Sequence, residues 1–193
     1  MSERLLLITG SSGVGKTSVL RKSIDALKVC GYCVGGMISY EVRKNGKRVG
    51  FEIQDLNNEE RGWLAHVDQR GGPRIGKYRV NLENLDAIGA ASIIHAVKNA
   101  HVIVIDEIGP MELYSRRFRE AVNKALQSKK LVISTVHRKM DHKLIGKIRT
   151  RKDAVTFLVT RENRETLHLN IAEKAKSFLS RHASEQKIEI GEK

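Results

Sequence analysis

Lys16 and Thr17 close the run Gly10-Ser11-Ser12-Gly13-Val14-Gly15-Lys16-Thr17, which has the spacing G-x-x-x-x-G-K-[ST]. Glycines in such a run let the backbone wrap round an anion, with N–H groups of the turn and a following helix aimed at phosphate oxygens. Lys16 would add a full charge at the β- and γ-phosphates, and the Thr17 hydroxyl suits Mg²⁺. A second set lies at Asp106-Glu107-Ile108-Gly109. Asp106 follows four apolar residues, so its carboxylate stands at a strand end where it can hold Mg²⁺ beside Thr17. Glu107 is placed to accept a proton from a water attacking the γ-phosphate. Gly109 falls in the turn beyond, beside the phosphates. The chemistry indicated is Mg²⁺-dependent hydrolysis of nucleoside triphosphates.

That chemistry needs a strand before the glycine turn, a helix after it, and a buried strand ahead of Asp106. Residues 5–8 (Leu-Leu-Leu-Ile) provide the first strand. Val19, Leu20, Ile24 and Leu27 form one helical stripe after the turn. Residues 102–105 (Val-Ile-Val-Ile) read as a strand buried on both faces. Strands are also expected over 34–42 and 48–56 as a hairpin about Asn45-Gly46, and over 63–67, 78–80, 131–136 and 154–159. The stretch 57–76 otherwise reads as loop. Helices are expected from Leu82 (capped by Asn81 and broken near Gly89), over 115–126, near 141–148, and over 165–179. Strand–helix alternation predicts an α/β fold with a mostly parallel central sheet, helices on both faces and an antiparallel hairpin over about 34–56. A frayed polar tail is expected from about residue 183.

The 193 residues suit one domain, with 40% hydrophobic and 30% charged residues. No apolar run reaches bilayer length and no leader pattern opens the chain, which points to the cytoplasm and away from a membrane. Abundant Lys, Arg and Glu with few Pro and Cys matches the bias of heat-adapted proteins. The net charge of +13 invites nucleic acid as a partner, but the basic residues are scattered and aromatics are only 5%. Nucleoside triphosphates are the favoured partners and a monomer is the default. Cys30-Gly31-Tyr32-Cys33 follows a helix rather than preceding one, so ordinary buried side chains are expected rather than redox or metal ligands.

Where a glutamate follows the Asp of such a strand, the next strand inserts between it and the phosphate-binding strand, and its polar end reaches the γ-phosphate. Thr135 and His137 are the candidates for that sensor. From Arg138 to Lys152 the chain carries seven basic residues against one acid, Asp141. That suits a lid whose arginine, Arg138 foremost, neutralises charge on the γ-phosphate. Arg116 and Arg117 are further candidates. Asn163 and Arg164 follow the last strand, where a base-binding loop is expected; an arginine plane stacks on any base, and no Asn-Lys-x-Asp guanine motif is present. Glu41, Arg43 and Arg48 are candidates for the cleft wall. The same residues leave open a small-molecule kinase with a basic lid, or a regulatory module switched by nucleotide and bound to RNA or protein.

The chain resembles a family of small nucleoside-triphosphatases from thermophilic prokaryotes, to which a human cancer-related nucleoside triphosphatase is also similar. The likeness rests on Gly10 to Thr17, on Gly35-Gly36-Met37-Ile38-Ser39-Tyr40-Glu41-Val42-Arg43 with Lys47-Arg48-Val49-Gly50-Phe51, on Gly76-Lys77-Tyr78-Arg79-Val80, on Asp106-Glu107-Ile108-Gly109-Pro110-Met111-Glu112, and on Asn163-Arg164. It implies a RecA-like P-loop fold and slow Mg²⁺-dependent hydrolysis of several nucleoside triphosphates to diphosphate and phosphate.

Overall fold

The computed structural model describes residues 3–138 and 140–191. Its centre is a nine-stranded sheet, formed by β1 (Leu5–Gly10), β2 (Val34–Lys44), β3 (Lys47–Asp55), β4 (Arg61–His66), β5 (Arg74–Ile75), β6 (Tyr78–Val80), β7 (Val102–Ile108), β8 (Leu131–Val136) and β9 (Ala154–Val159). The spatial order is β5-β6-β4-β3-β2-β7-β8-β1-β9. From β2 to β9 the strands are parallel, whereas β2, β3, β4, β6 and β5 pair antiparallel. The antiparallel half is therefore larger than a hairpin, because the strands expected near 63–67 and 78–80 join it as β4 and β6, and the stretch expected as loop adds β5.

The parallel strands are apolar on both faces, and each face is covered. Leu6, Ile8, Val102, Val104 and Ile133 pack under α1 (Lys16–Val29) and α6 (Leu167–Gly191). On the other face Leu5, Leu7, Ile103, Ile105 and Val132 join α3 (Ala91–Asn99), α4 (Arg116–Gln127) and α5 (Lys143–Arg149). Asn81 caps α2 (Leu82–Asn84) by accepting from Asn84 N–H at 3.0 Å. Beyond it, residues Leu85–Ala90 form a π-helical stretch rather than a simple break at Gly89. Gly89 is buried there, and a Cβ would lie 3.1 Å from Leu85 Cδ1 and 3.2 Å from Met37 Sδ, so a side chain would have to push both back.

Gly36 lets β2 pair tightly with β7. Its φ is +111°, and a Cβ there would lie 2.1 Å from the Val104 carbonyl oxygen. Two expectations need correction. Helix α6 continues to Gly191 instead of ending in a frayed tail from 183, because no proline or glycine interrupts it after Leu179. Cys30 and Cys33 are free and exposed, not buried, because they flank the turn that leaves α1 through Gly31. Among the described residues no helix is long and apolar enough to cross a membrane.

At the end of the sheet opposite the glycine turn, Asp153 ties β9 to β1. Its carbonyl accepts from Arg4 and Leu5 N–H at 3.0 Å each. Its carboxylate accepts two bonds from Arg151 at 2.8 Å and lies 3.0 Å from Arg4 Nε. Arg4 also donates to Leu126 O at 2.6 Å, at the end of α4. The Arg151 bonds hold the Asp153 carboxyl below the usual carboxylate range. We expect Asp153→Asn to cost about 1 kcal/mol at pH 7. A depressed carboxyl stabilises fully above its unfolded pKa of about 4 and loses that contribution as pH falls through its folded value. Denaturant titrations should thus show the deficit at pH 7 and a smaller one at pH 3. An equal deficit at both would mean that the charge is not what holds the corner.

Candidate active site

The phosphate cradle follows from local sequence. β1 ends at Gly10, and the chain turns through residues 11–15 before α1 starts. Gly15 sits at the helix N-cap with φ 109°, and no side chain caps the helix. No acid occupies the first turn. The first N–H groups of α1 and its dipole thus face outward, ready for an anion. Lys16 points across the mouth of the turn, with Nζ 3.7 Å from Glu107 Oε2.

Asp106 is the hub of the site. It is 1% exposed. Thr135 Oγ1 donates to Oδ1; Thr17 Oγ1 donates to Oδ2 at 3.0 Å; Ser39 N and Oγ approach Oδ2 at 3.4 and 3.3 Å. Burial pushes the carboxyl up, and the Thr135, Thr17 and Ser39 bonds pull it back only in part. Pairing of β7 with β8 slips between Ile105 and Ile108: Ile105 faces Ser134 and Ile108 faces Val136, so Asp106 and Glu107 together oppose Thr135. An extra residue in a strand re-aims side chains that would otherwise alternate strictly. Here Asp106 stays inside, and Glu107 emerges half-buried toward Lys16.

Glu107 is pushed up chiefly by burial and further by Asp106, against the opposing pull of Lys16. Behind it lies Glu112, 5% exposed, from the turn Glu112–Tyr114. Glu107 and Glu112 converge on Gly109, where a Cβ would meet Glu112 Oε2 at 3.0 Å and Glu107 Oε1 at 3.2 Å. Burial pushes the Glu112 carboxyl up to about 8, so it is neutral at pH 7 beside the two acids.

The oxygen set fits a hard divalent cation. Thr17 Oγ1 and Asp106 meet at the mouth of the cradle. Among the described residues no three His, Cys, Asp or Glu are arranged to hold a metal ion by themselves. Mg²⁺ needs few protein ligands, because phosphate oxygens and water complete its shell.

Beside the cradle lies a cleft of about 650 Å³, lined by Ser11, Ser12 and Gly13 on one side and by Arg138, Arg161 and Arg164 on the other. The Arg164 stem lies over Gly15, at 3.7 Å from where a Cβ would be. Arg138 follows β8 and reaches the cleft's edge. His137 stands near Lys16 and Arg149, and its buried Nδ1 has no hydrogen-bond partner among the described residues. Burial, then these two cations, lower its pKa, so the ring is neutral at pH 7.

Other sequence candidates sit elsewhere. Thr135 is fully buried and serves Asp106, so it does not face a γ-phosphate. Asn163 braces its own loop, accepting from Thr160 N–H at 2.8 Å and donating to Leu158 O at 2.9 Å. The segment 143–149 is not a hinged lid: Leu144, Ile145 and Ile148 anchor it in the core. Arg149 holds the loop before it by donating to the carbonyls of His137 and Arg138 at 2.6 and 2.7 Å. Lys139 lies outside the described residues. Arg116 is exposed and paired with Glu120 at 2.8 Å, and Arg117 lines a groove with α3. Glu41 is taken up by Arg43 and Arg48, and Arg48 also donates to Tyr78 Oη at 2.8 Å, so the three brace the hairpin. Sequence reading missed Ser39 and Arg161. Ser39 carries no signal of its own, while Arg161 is signalled only by its place in the loop after β9.

The family model described as "NTPase" matches residues 5–172. Nucleoside-triphosphatase THEP1 of Thermofilum pendens is 44% identical over 182 residues, covering 94% of this chain and all of that protein. The THEP1 protein of Methanocaldococcus jannaschii is 43% identical over 169 residues, covering 88% of this chain and 95% of that one. Among solved structures, THEP1 from the hyperthermophile Aquifex aeolicus superposes with a TM-score of 0.77 at 29% identity, covering 86% of this chain and 96% of that one. A human cancer-related nucleoside triphosphatase gives 0.78 at 34% identity, covering 90% and 98%. With its glycine cradle, buried Asp106 and emergent Glu107 set in that shared fold, the chain belongs to the THEP1 family of nucleoside-triphosphatases.

Proposed function

We infer that this protein hydrolyses nucleoside triphosphates to diphosphate and phosphate, with Mg²⁺, and with little preference for the base. The observation that carries the reading is the juxtaposition of Lys16, Thr17, Asp106 and Glu107 at one mouth. Bound there, Mg²⁺ would neutralise charge on the β- and γ-phosphates, held by Thr17 and Asp106. The backbone N–H groups of residues 13–17 and the Lys16 ammonium grip the phosphates. Glu107 accepts a proton from the attacking water as the new P–O bond forms and the bond to the β-phosphate oxygen breaks. Burial raises Glu107's basicity, which suits that task. Ser39 and Thr135 keep Asp106 from rotating. We assign His137, near Lys16, and Arg138, at the edge of the cleft, to the γ-phosphate, and Arg161 and Arg164 as planar cations for any base.

Hydrolysis should require Mg²⁺ and accept ATP, GTP, CTP and UTP within about tenfold, since stacking separates bases by little more than ~1.4 kcal/mol. A survey of phosphate release tests this, and turnover of a single nucleotide would overturn it. Arg164→Ala should raise KM for all four more than it lowers kcat. An unchanged KM would return Arg164 to a surface role. Glu107→Gln should keep nucleotide affinity yet lower kcat by roughly 10² to 10⁴. Asp106→Asn should instead show a defect partly relieved by raising Mg²⁺. Measuring kcat and affinity for both variants across a Mg²⁺ titration separates base from ligand. Wild-type turnover in Glu107→Gln would place the base elsewhere.

A further inference from the structure

A second cleft opens on the other side of α1, where the antiparallel half of the sheet is left without a covering helix. It holds about 240 Å³ between α1 and strands β2, β3 and β4, and it shares no lining residue with the nucleotide cleft. Arg21 from α1 and Arg61 from β4 converge there on one aromatic ring. Their guanidinium carbons lie 5.2 and 5.0 Å from the Tyr40 centroid, which caps their separation at about 10 Å. Both are exposed, and neither makes an ion pair among the described residues, although Asp25 and Glu59 line the same cleft. Two like charges in one cleft repel, an effect that solvent weakens. At the hairpin and at the far corner such pairs share a carboxylate, Arg43 and Arg48 with Glu41, and Arg4 and Arg151 with Asp153.

A separate observation comes from the floor. Gln54 is 7% exposed, and its Oε1 accepts from Tyr40 Oη at 2.7 Å. Its amide nitrogen has no acceptor among the described residues and is not sealed from solvent, so it is open to donate into the cleft. Donors thus converge from three elements on one concave space. Lys28, Asp25 and Glu59 also line the cleft, so its charge is mixed with cations in excess, and the two carboxylates can accept from a ligand's hydroxyls.

We propose that this cleft is a second ligand site for a phosphate-class anion, held between Arg21 and Arg61 with the Gln54 amide beneath. Guanidinium forks match phosphate oxygens in pairs, and the counter-charge removes the repulsion round Tyr40. The space is well under half that of the nucleotide cleft, which suits a phosphate or a small phosphate monoester. A ligand here lies one turn along α1 from Thr17, about 6 Å, and one residue along β2 from Ser39. It would therefore neighbour the metal end of the active site without touching the cradle.

The test must keep phosphate out of the cradle. The full-length protein is saturated with Mg²⁺ and a non-hydrolysable nucleoside triphosphate analogue, then titrated calorimetrically with inorganic phosphate and with glycerol 3-phosphate. We expect binding of at least one probe below about 10 mM. Arg21→Gln and Arg61→Gln should each weaken it about tenfold or more. Arg21→Lys should restore part of the loss, with analogue affinity and circular dichroism unchanged throughout. Tighter binding of glycerol 3-phosphate would identify the occupant as a hydroxyl-bearing phosphate monoester. Equal binding would point to the phosphate released by hydrolysis. No binding once the analogue is bound, or equal binding in the glutamine variants, would overturn the proposal and leave the two arginines as packing for Tyr40. Because nucleotide affinity is read separately, failure of this site is distinct from failure of the hydrolase reading.

Discussion

Burying Asp106 is the constraint on which the rest of this site depends. A carboxylate taken out of water is costly unless hydrogen bonds replace the lost solvation. Here the replacements come from α1 (Thr17), β2 (Ser39) and β8 (Thr135). Each donor is on a different element, so the network forms only when the phosphate-binding helix, the neighbouring strand and the inserted strand are in register. The carboxylate in turn fixes the Thr17 hydroxyl at the cradle's mouth. One carboxyl therefore serves as a packing constraint and, in the function proposed above, as a metal ligand.

The strand order makes that convergence possible. β8 lies between β7 and β1, so Thr135 and Asp106 are lateral neighbours, while β2 brings Ser39 from the other side. Close approach of β2 to β7 needs Gly36, where any Cβ would strike the Val104 backbone. The slip in pairing at residues 106–107 then separates two adjacent carboxylates that differ in task. One is held inside by hydroxyls and the other leans toward Lys16. Glu112 beneath them stays protonated, which relieves the crowding of three acids in a small volume.

Part of the large positive charge is committed to architecture. Arg4 and Arg151 hold the far corner, Arg43 and Arg48 the hairpin, Arg149 the loop before α5, and Lys22 the start of α6 through Glu165. Arg138, Arg161 and Arg164 gather along the cleft beside the glycine turn, with Arg164 also 3.5 Å from Glu165, and Arg21 and Arg61 gather round Tyr40.

By itself the sequence determined the fold class and the principal chemistry. A phosphate cradle is a local object: spacing, glycines and a following helical stripe suffice to define it, so Gly10 to Thr17 were legible. Asp106-Glu107 was legible for a similar reason, since a β-branched run ending in acids marks a buried strand reaching the active edge. The β2–β3 turn at Asn45-Gly46 and the strand Leu131–Val136 also carry their signals within a few residues. The tertiary structure alone decided what depends on partners distant in sequence. Thr135 looked like a phosphate sensor until β8 was seen to aim it at Asp106, 29 residues away. Ser39 was silent because its role arises only from the β2–β7 pairing. The basic stretch after β8 looked like a lid because charge is visible in sequence, whereas the three apolar anchors of α5 gain meaning only against the core they enter. Arg21 and Arg61 are far apart along the chain, and only folding the antiparallel half beside α1 brings both to the ring of Tyr40.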